Sequence, residues 1–287
     1  MGDFVEEAVS LHADPLPNPI PQDDDIHVVV TGFGVSPSIT INQLHHSYSK
    51  DETDRQQPFK TNPLNPSFLI TSLLPQYLPA TAKDQRRIRI HAHPLPIRVA
   101  YPSVRSDVPA IIEAFRAAHD GRPPHLVVHV GMASTRQYYA VETIAHRDGY
   151  RVTDVDGQLG VPFDPTLPES LQPGMPCKTA AAITPAGGSI KINPSPPDTT
   201  FLQTWRKSLP PGRSIDVRLS HDAGRYLCEY IYYTSLSMAW EEQRPRGVVF
   251  LHVPGWTDRA SVEMGADALV GLVRAMVECW VVDNTDI

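Results

Sequence analysis

The chain has 287 residues, of which 41% are hydrophobic and 20% charged, the balance of an ordinary globular protein with ample length for a packed core. Its net charge of −7 argues against nucleic acid or anionic membrane as the main partner, because both need a dense cationic surface. Proline is the outlier at 29 residues, about twice the usual frequency, and predicts long irregular connections rather than a compact bundle.

Residues 1–25 are proline-rich and carry three consecutive aspartates, which reads as a flexible tail. They lack the basic start and apolar run of a signal peptide. A continuous β-branched run, Ile26 to Thr31, follows and is closed by Gly32-Phe33-Gly34, as in a buried strand of an α/β sheet. Residues 35–57 are polar and interrupt what would otherwise be a short glycine-rich turn. Further strand signals lie at Ile88 to His93, Leu126 to Val130, Ile215 to Leu219 and Val248 to Val253. Helical spacing of apolar residues appears over Val108 to Ala118 and again from Leu269 to Trp280. Residues 156–212 hold eleven prolines with little periodicity and read as a long surface excursion. Alternating strands and helices predict one α/β domain over 26–287, its central sheet covered on both faces. No apolar stretch approaches the ~20 residues of a membrane span.

Three cysteines, Cys177, Cys228 and Cys279, make neither a disulfide framework nor a zinc motif. A soluble protein of a reducing compartment, the cytoplasm, is expected. Cys228 follows the strand signal that ends at Leu219, and Ser220 or Asp222 could cap a helix there. Cys228 would then fall within its first two turns, where unpaired amides and the helix dipole favour a thiolate. Position alone favours a small buried hydrophobe, which is what most free cysteines are. His252 lies at the C-terminal end of a strand, the edge where open α/β sheets gather ligand groups, though a single histidine there is more often a hydrogen-bonded structural one. Glu142 follows a glycine-started loop after a strand and, alone, reads as a solvated charge. His91 and His93 share one strand face and His45-His46 is a bare pair; neither has enough neighbours along the chain for a metal site.

Taken together, these segments resemble the pyroglutamyl peptidase type I (pyrrolidone-carboxylate peptidase) family of cysteine exopeptidases. The resemblance rests on Val28 to Gly34, Leu126 to Met132, Glu142, Gly149-Tyr150-Arg151, the block Asp222 to Cys228 with Tyr232 to Leu236 behind it, and Phe250 to Pro254. It covers most of residues 26–287 in order. It implies a three-layer α/β/α sandwich around a mixed, mostly parallel sheet. It also implies removal of an N-terminal 5-oxoproline (pyroglutamyl) residue from peptides by thiol chemistry, with no metal or other cofactor. By resemblance Cys228 is the nucleophile, with a pKa lowered by an imidazole and a helix terminus, His252 the general base and Glu142 its orienting carboxylate. Arg151 is the assisting cation, Phe33, Phe59 and Tyr226 are ring-binding aromatics, Met132 supplies the carbonyl for the lactam N–H, and Asn65 holds a motif position. The sequence leaves a homo-oligomer open. Two other readings also stand: a silent relative that binds N-capped peptides, and a cysteine hydrolase of another small amide.

Deleting residues 35–57 restores the family's loop pattern by joining Thr31 to Gly34 with Pro58-Phe59. The segment is 23 residues long, begins Val-Ser, as GTAAGT or GTGAGT would encode, and ends in Gln, as CAG would encode. These are splice-junction sequences, and the segment reads as a translated, unspliced intron. The alternative is a genuine lineage-specific loop.

Overall fold

The computed structural model describes residues 25–34, 65–80, 86–176 and 190–282. Residues 1–24 of the expected 1–25 tail, the 35–57 segment, Phe59 and Cys177 lie outside these residues; Asp25, the tail's last residue, is instead buried and accepts Arg87 Nε–H at 3.0 Å. Eleven strands occur among them: β1 (Ile26–Gly32), β2 (Tyr77–Leu78), β3 (Ile88–Ala92), β4 (Leu126–Met132), β5 (Tyr139–Glu142), β6 (Ala145–His146), β7 (Ser170–Leu171), β8 (Lys191–Ile192), β9 (Val217–Ser220), β10 (Val248–Val253) and β11 (Val281–Val282). Five helices join them: α1 (Pro66–Ser72), α2 (Tyr101–Ala118), α3 (Thr199–Lys207), α4 (Leu227–Glu241) and α5 (Arg259–Trp280).

Seven strands form one sheet in the order β2-β3-β1-β4-β10-β5-β9. The β1–β3, β1–β4, β4–β10 and β5–β9 pairings are parallel, whereas β2–β3 and β5–β10 are antiparallel. Val28, Val30, Val128, Val130, Val249 and Leu251 point to one face, with α3 and α5 apolar residues packed on them. Val29, Val127, Val248 and Phe250 point to the other, beneath α2 and α4. The expected α/β/α sandwich with a mixed, mostly parallel sheet is therefore the fold. The central strands β1, β4 and β10 are buried along their whole length, which is why they read as unbroken apolar runs instead of alternating ones.

Three elements differ from the sequence reading. Helix α2 starts at Tyr101, seven residues before Val108, with a proline in its first turn, where the missing N–H has no intrahelical bond to lose. The buried Asp154 carboxylate accepts the Tyr101 N–H at 2.9 Å. Strand β5 is four residues long and entirely buried, too short to give a periodic signal. The 156–212 stretch is not wholly surface: α3 lies in it, and its Trp205 is fully buried, donating Nε1–H to the Ala268 carbonyl at 2.9 Å. Phe163 and Leu171 from the same stretch are buried on the opposite face.

The two ends of the 35–64 interval meet. The Phe68 N–H donates to the Phe33 carbonyl at 3.2 Å, and the Gly34 N–H donates to Ile97 O at 3.1 Å. Gly32 must be glycine for this approach, since a Cβ there would sit 2.8 Å from the Ser67 carbonyl oxygen. Docked flanks of this kind make the closure cost of extra residues between them grow only slowly with length. No helix among the described residues is long and apolar enough to cross a membrane.

Candidate active site

Strand register brings the chemistry together on the sheet face beneath α4. In the antiparallel β5–β10 pair, Glu142 lies opposite Phe250 and Ala140 opposite His252. Glu142 is fully buried and His252 nearly so. His252 Nδ1 lies 2.7 Å from Glu142 Oε1. A carboxylate can only accept, so Nδ1 carries the proton and the neutral ring keeps a basic lone pair on Nε2. The Glu142 backbone is pinned from above, its carbonyl accepting the Tyr232 hydroxyl of α4 at 3.1 Å.

Cys228 is the second residue of α4. The cap is not Ser220 or Asp222 as the sequence suggested. Tyr226 occupies the N-cap in an extended conformation with no side-chain capping bond, and the Asp222 carboxylate instead accepts the Gly224 N–H at 3.0 Å. Starting the helix this late puts Cys228 in its first turn, among amides with no intrahelical partner. The sulfur rests directly over β4: a Cβ added to Gly131 would lie 2.9 Å from Cys228 Sγ and 2.4 Å from Phe250 Cζ. Gly131 is the register partner of His252 in the parallel β4–β10 pair. Paired residues of parallel neighbours point to the same face, with strands about 4.8 Å apart. The Cys228 sulfur therefore lies over the β4 position whose partner on the adjacent strand β10 is His252.

Arg136, in the turn between β4 and β5, was given no role by the sequence. Its guanidinium donates to the same Glu142 Oε1 at 2.8 Å and to the Asp222 carbonyl at 3.1 Å. It thereby ties the carboxylate to the loop that leads into the Cys228 helix. Nothing in the local sequence announces this ion pair, because it forms across a turn and a strand. A second buried carboxylate, Glu229, neighbours Cys228. It accepts Arg225 at 2.8 Å through both oxygens and lies 2.7 Å from His146 Nδ1.

These environments set the protonation states. Burial alone would push Glu142 up, but hydrogen bonding and charge from His252, helped by the nearby Ser220 hydroxyl and the Arg136 guanidinium, outweigh it and hold the carboxyl below its ordinary range. Burial lowers His252, only partly offset by Glu142, so the ring is neutral near pH 7. Burial and then the Glu142 charge push the Cys228 thiol up to about 12, against an opposing pull from Arg136 and its own amide. The sequence reading expected a lowered thiol pKa. The difference has a plain cause: burial of the sulfur, followed by the Glu142 charge, outweighs the helix terminus, and a neutral imidazole adds no positive charge to oppose them. The resting site is thus thiol, imidazole and carboxylate, with a base able to take the thiol proton as the sulfur attacks.

The remaining predicted positions divide into two groups. Met132 ends β4 next to Gly131, and buried Phe33 hangs from the same edge with its N–H on the Val130 carbonyl at 3.2 Å. Tyr226 adjoins Cys228 in the chain and reaches the Thr153 carbonyl with its hydroxyl at 3.3 Å. Asn65 caps α1, its side chain accepting the Ser67 N–H at 3.0 Å, so its first duty is to fix the helix docked under Phe33. Arg151 is exposed and follows Gly149-Tyr150 in a loop; Arg136, not Arg151, is the cation bonded to the buried carboxylate.

A thiol at a helix start, a neutral imidazole and a buried carboxylate at the C-terminal edge of an open α/β sheet define a cysteine-hydrolase type of site. Comparison with known proteins narrows this further. The chain is 26% identical over 252 residues to "Pyroglutamyl-peptidase 1" of Rattus norvegicus, covering 88% of each chain. It is 25% identical over 251 residues to the Homo sapiens protein of the same name, again with 88% of each covered. In three dimensions it matches the pyrrolidone carboxyl peptidase of Thermococcus litoralis with a TM-score of 0.55 at 16% identity, over 88% of this chain and 93% of that one. A mutant pyrrolidone carboxyl peptidase from Pyrococcus furiosus gives 0.54 at 18% identity, over 88% and 98%. No protein-family profile matches the chain. The resemblance to the pyroglutamyl peptidase family read from the motifs is borne out by these relatives.

Proposed function

We propose that the protein is a cysteine exopeptidase that hydrolyses the N-terminal pyroglutamyl residue from peptides. The observation that carries this reading is the Glu142–His252 bond at 2.7 Å on the face where the Cys228 sulfur lies over Gly131. His252 Nε2 takes the Cys228 proton as the sulfur attacks the pyroglutamyl carbonyl carbon, and the amides of the first α4 turn receive the oxyanion. The imidazolium, stabilised by Glu142, then protonates the departing amine and the C–N bond breaks. Water enters, gives its proton to His252, and releases free 5-oxoproline from the thioester.

Phe33, Tyr226 and the Met132 carbonyl are assigned to the flat, uncharged lactam ring, Phe59 and Asn65 complete that loop, and Arg151 assists from the rim. An apolar slot of this kind rejects a free N-terminal glutamate, whose charges are costly to desolvate. A catalytic free thiol suits a reducing compartment, and we place the protein in the cytoplasm. The test is turnover of a fluorogenic pyroglutamyl amide by the full chain, with Cys228→Ala as control. Release of fluorophore abolished by that change supports the proposal. Binding without turnover would assign a silent relative, and neither result in a folded protein would leave hydrolysis of a different small amide.

A further inference from the structure

A second constellation lies away from the thiol, where β1, β3 and the end of α2 converge. His27 enters from β1, His91 from β3, and His119 from the C-cap of α2. One ring nitrogen from each falls within 4.8 Å of the other two. Along the sequence, His91 had too few neighbours for a metal site; the fold supplies them from 64 residues upstream and 28 downstream.

One of the three rings, His119, is held as a ligand would be, by a hydrogen bond to a backbone carbonyl. His119 Nδ1 lies 2.7 Å from the Phe115 carbonyl. A carbonyl only accepts, so Nδ1 bears the proton and Nε2 presents a lone pair. Metal-bound histidines are oriented in this way by donating their other N–H to a carbonyl or carboxylate. Stacking on Phe115, with ring centroids 3.9 Å apart, holds the same ring in place. His27 Nδ1 and His91 Nε2 face each other at 2.9 Å, so a single proton lies where both could address one cation. Nitrogens on a tetrahedral ion stand about 3.3 Å apart at ordinary metal–nitrogen lengths, which side-chain rotations of roughly 1 Å reach from these spacings. A fourth histidine, His125, is committed elsewhere: its Nδ1 accepts the His27 backbone N–H at 3.0 Å.

Access and field also suit a cation. His91 and His119 line a surface cavity of about 210 Å³ with Val29, Ile111 and Phe115, open enough to leave a coordination position for water. The carbonyl end of α2 contributes partial negative charge beside His119. We propose that His27, His91 and His119 form a binding site for a borderline divalent transition metal such as Zn²⁺, bound through three neutral imidazoles and clipping β1, β3 and α2 together. An all-nitrogen set disfavours Mg²⁺ and Ca²⁺, which take oxygen ligands. The site is separate from the hydrolytic centre, which is built from α4 over β4 with β10 and β5.

The test is calorimetric titration of the chelator-stripped full chain with Zn²⁺, followed by Co²⁺ absorption to report the ligand set. About one ion is expected with micromolar or tighter affinity, weakened at least tenfold in both His91→Ala and His119→Gln. The Cys228→Ala variant should keep the ion and the Co²⁺ spectrum should lack thiolate charge transfer, which separates this site from metal captured by the thiol. His119→Phe, which preserves stacking on Phe115, guards against a loss caused by misfolding; circular dichroism and unliganded melting confirm each fold. No binding at about 100 μM Zn²⁺, binding unaffected by the histidine changes, or binding lost in Cys228→Ala would overturn the proposal.

Discussion

Replacing Glu142 by Gln isolates what the buried carboxylate contributes. Glu142 Oε1 receives both His252 and Arg136, whereas Oε2 has no hydrogen-bonding partner among the described residues. A Gln carbonyl can occupy the Oε1 position with its NH₂ on the unpartnered side. The variant should therefore fold and keep the His252 tautomer while losing one negative charge. At about 4 Å between charge centres and an effective dielectric near 20, that charge is worth about 4 kcal/mol to an imidazolium, or roughly a thousandfold in kcat. Because Glu142 raises the His252 pKa against burial, its removal lowers that pKa further. The acid limb of the kcat/KM profile in the free enzyme should consequently move to lower pH even as the plateau falls. Steady-state kinetics on a pyroglutamyl amide from about pH 5 to 9, with melting curves as a fold control, measure both effects. A loss below about threefold, or an acid limb that stays in place, would refute the assignment of Glu142 as the charge that supports His252.

Other expectations follow from the same geometry. Gly131→Ala should cost at least about tenfold in kcat with a shifted sulfur, because its Cβ meets Phe250 Cζ at 2.4 Å and Cys228 Sγ at 2.9 Å; unchanged kinetics would show that the thiol does not lie over β4. Alkylation of Cys228 by iodoacetamide should keep accelerating to beyond pH 9, since burial pushes the thiol up to about 12; a plateau near neutrality would contradict a resting thiol. Burial lowers His129 to about 3 between the Thr31 and Ser235 hydroxyls. The unfolded chain therefore takes up this proton first as pH falls below about 6.5, and up to about 5 kcal/mol is lost by pH 3. Denaturant titrations should show a shallower acid decline for His129→Gln. Trp205→Ala should cost about 3–5 kcal/mol, read from the same titrations, because the ring is fully buried; a loss under 1 kcal/mol would place α3 outside the core.

The central strands were legible because burial on both faces leaves an unmistakable apolar run, as in Val28-Val29-Val30 and Val248 to Leu251. Helix α5 was legible through its long amphipathic stripe. What stayed hidden depends on contacts between distant segments. The four-residue β5 has no period to read, and α3 is nine residues among prolines whose burial rests on Phe201 and Trp205 meeting α5. The cysteine, histidine and glutamate are singled out only through motif resemblance, since each alone reads as an ordinary buried or solvated residue. Arg136 and the His27–His91–His119 group were missed for one reason: strand register and a helix end create them, and neither leaves a spacing in the chain. The thiol pKa was misjudged because burial, invisible in a motif, outweighs the helix terminus.

Covalent catalysis by Cys228 is read directly by intact and peptide mass spectrometry of the full chain quenched in acid during turnover of a pyroglutamyl thioester or activated ester. One pyroglutamyl group should be found in thioester linkage on the peptide that contains Cys228, and none after Cys228→Ser at the same quench time. An adduct on any other residue, or substrate turnover that continues with Cys228 fully alkylated, would contradict the account.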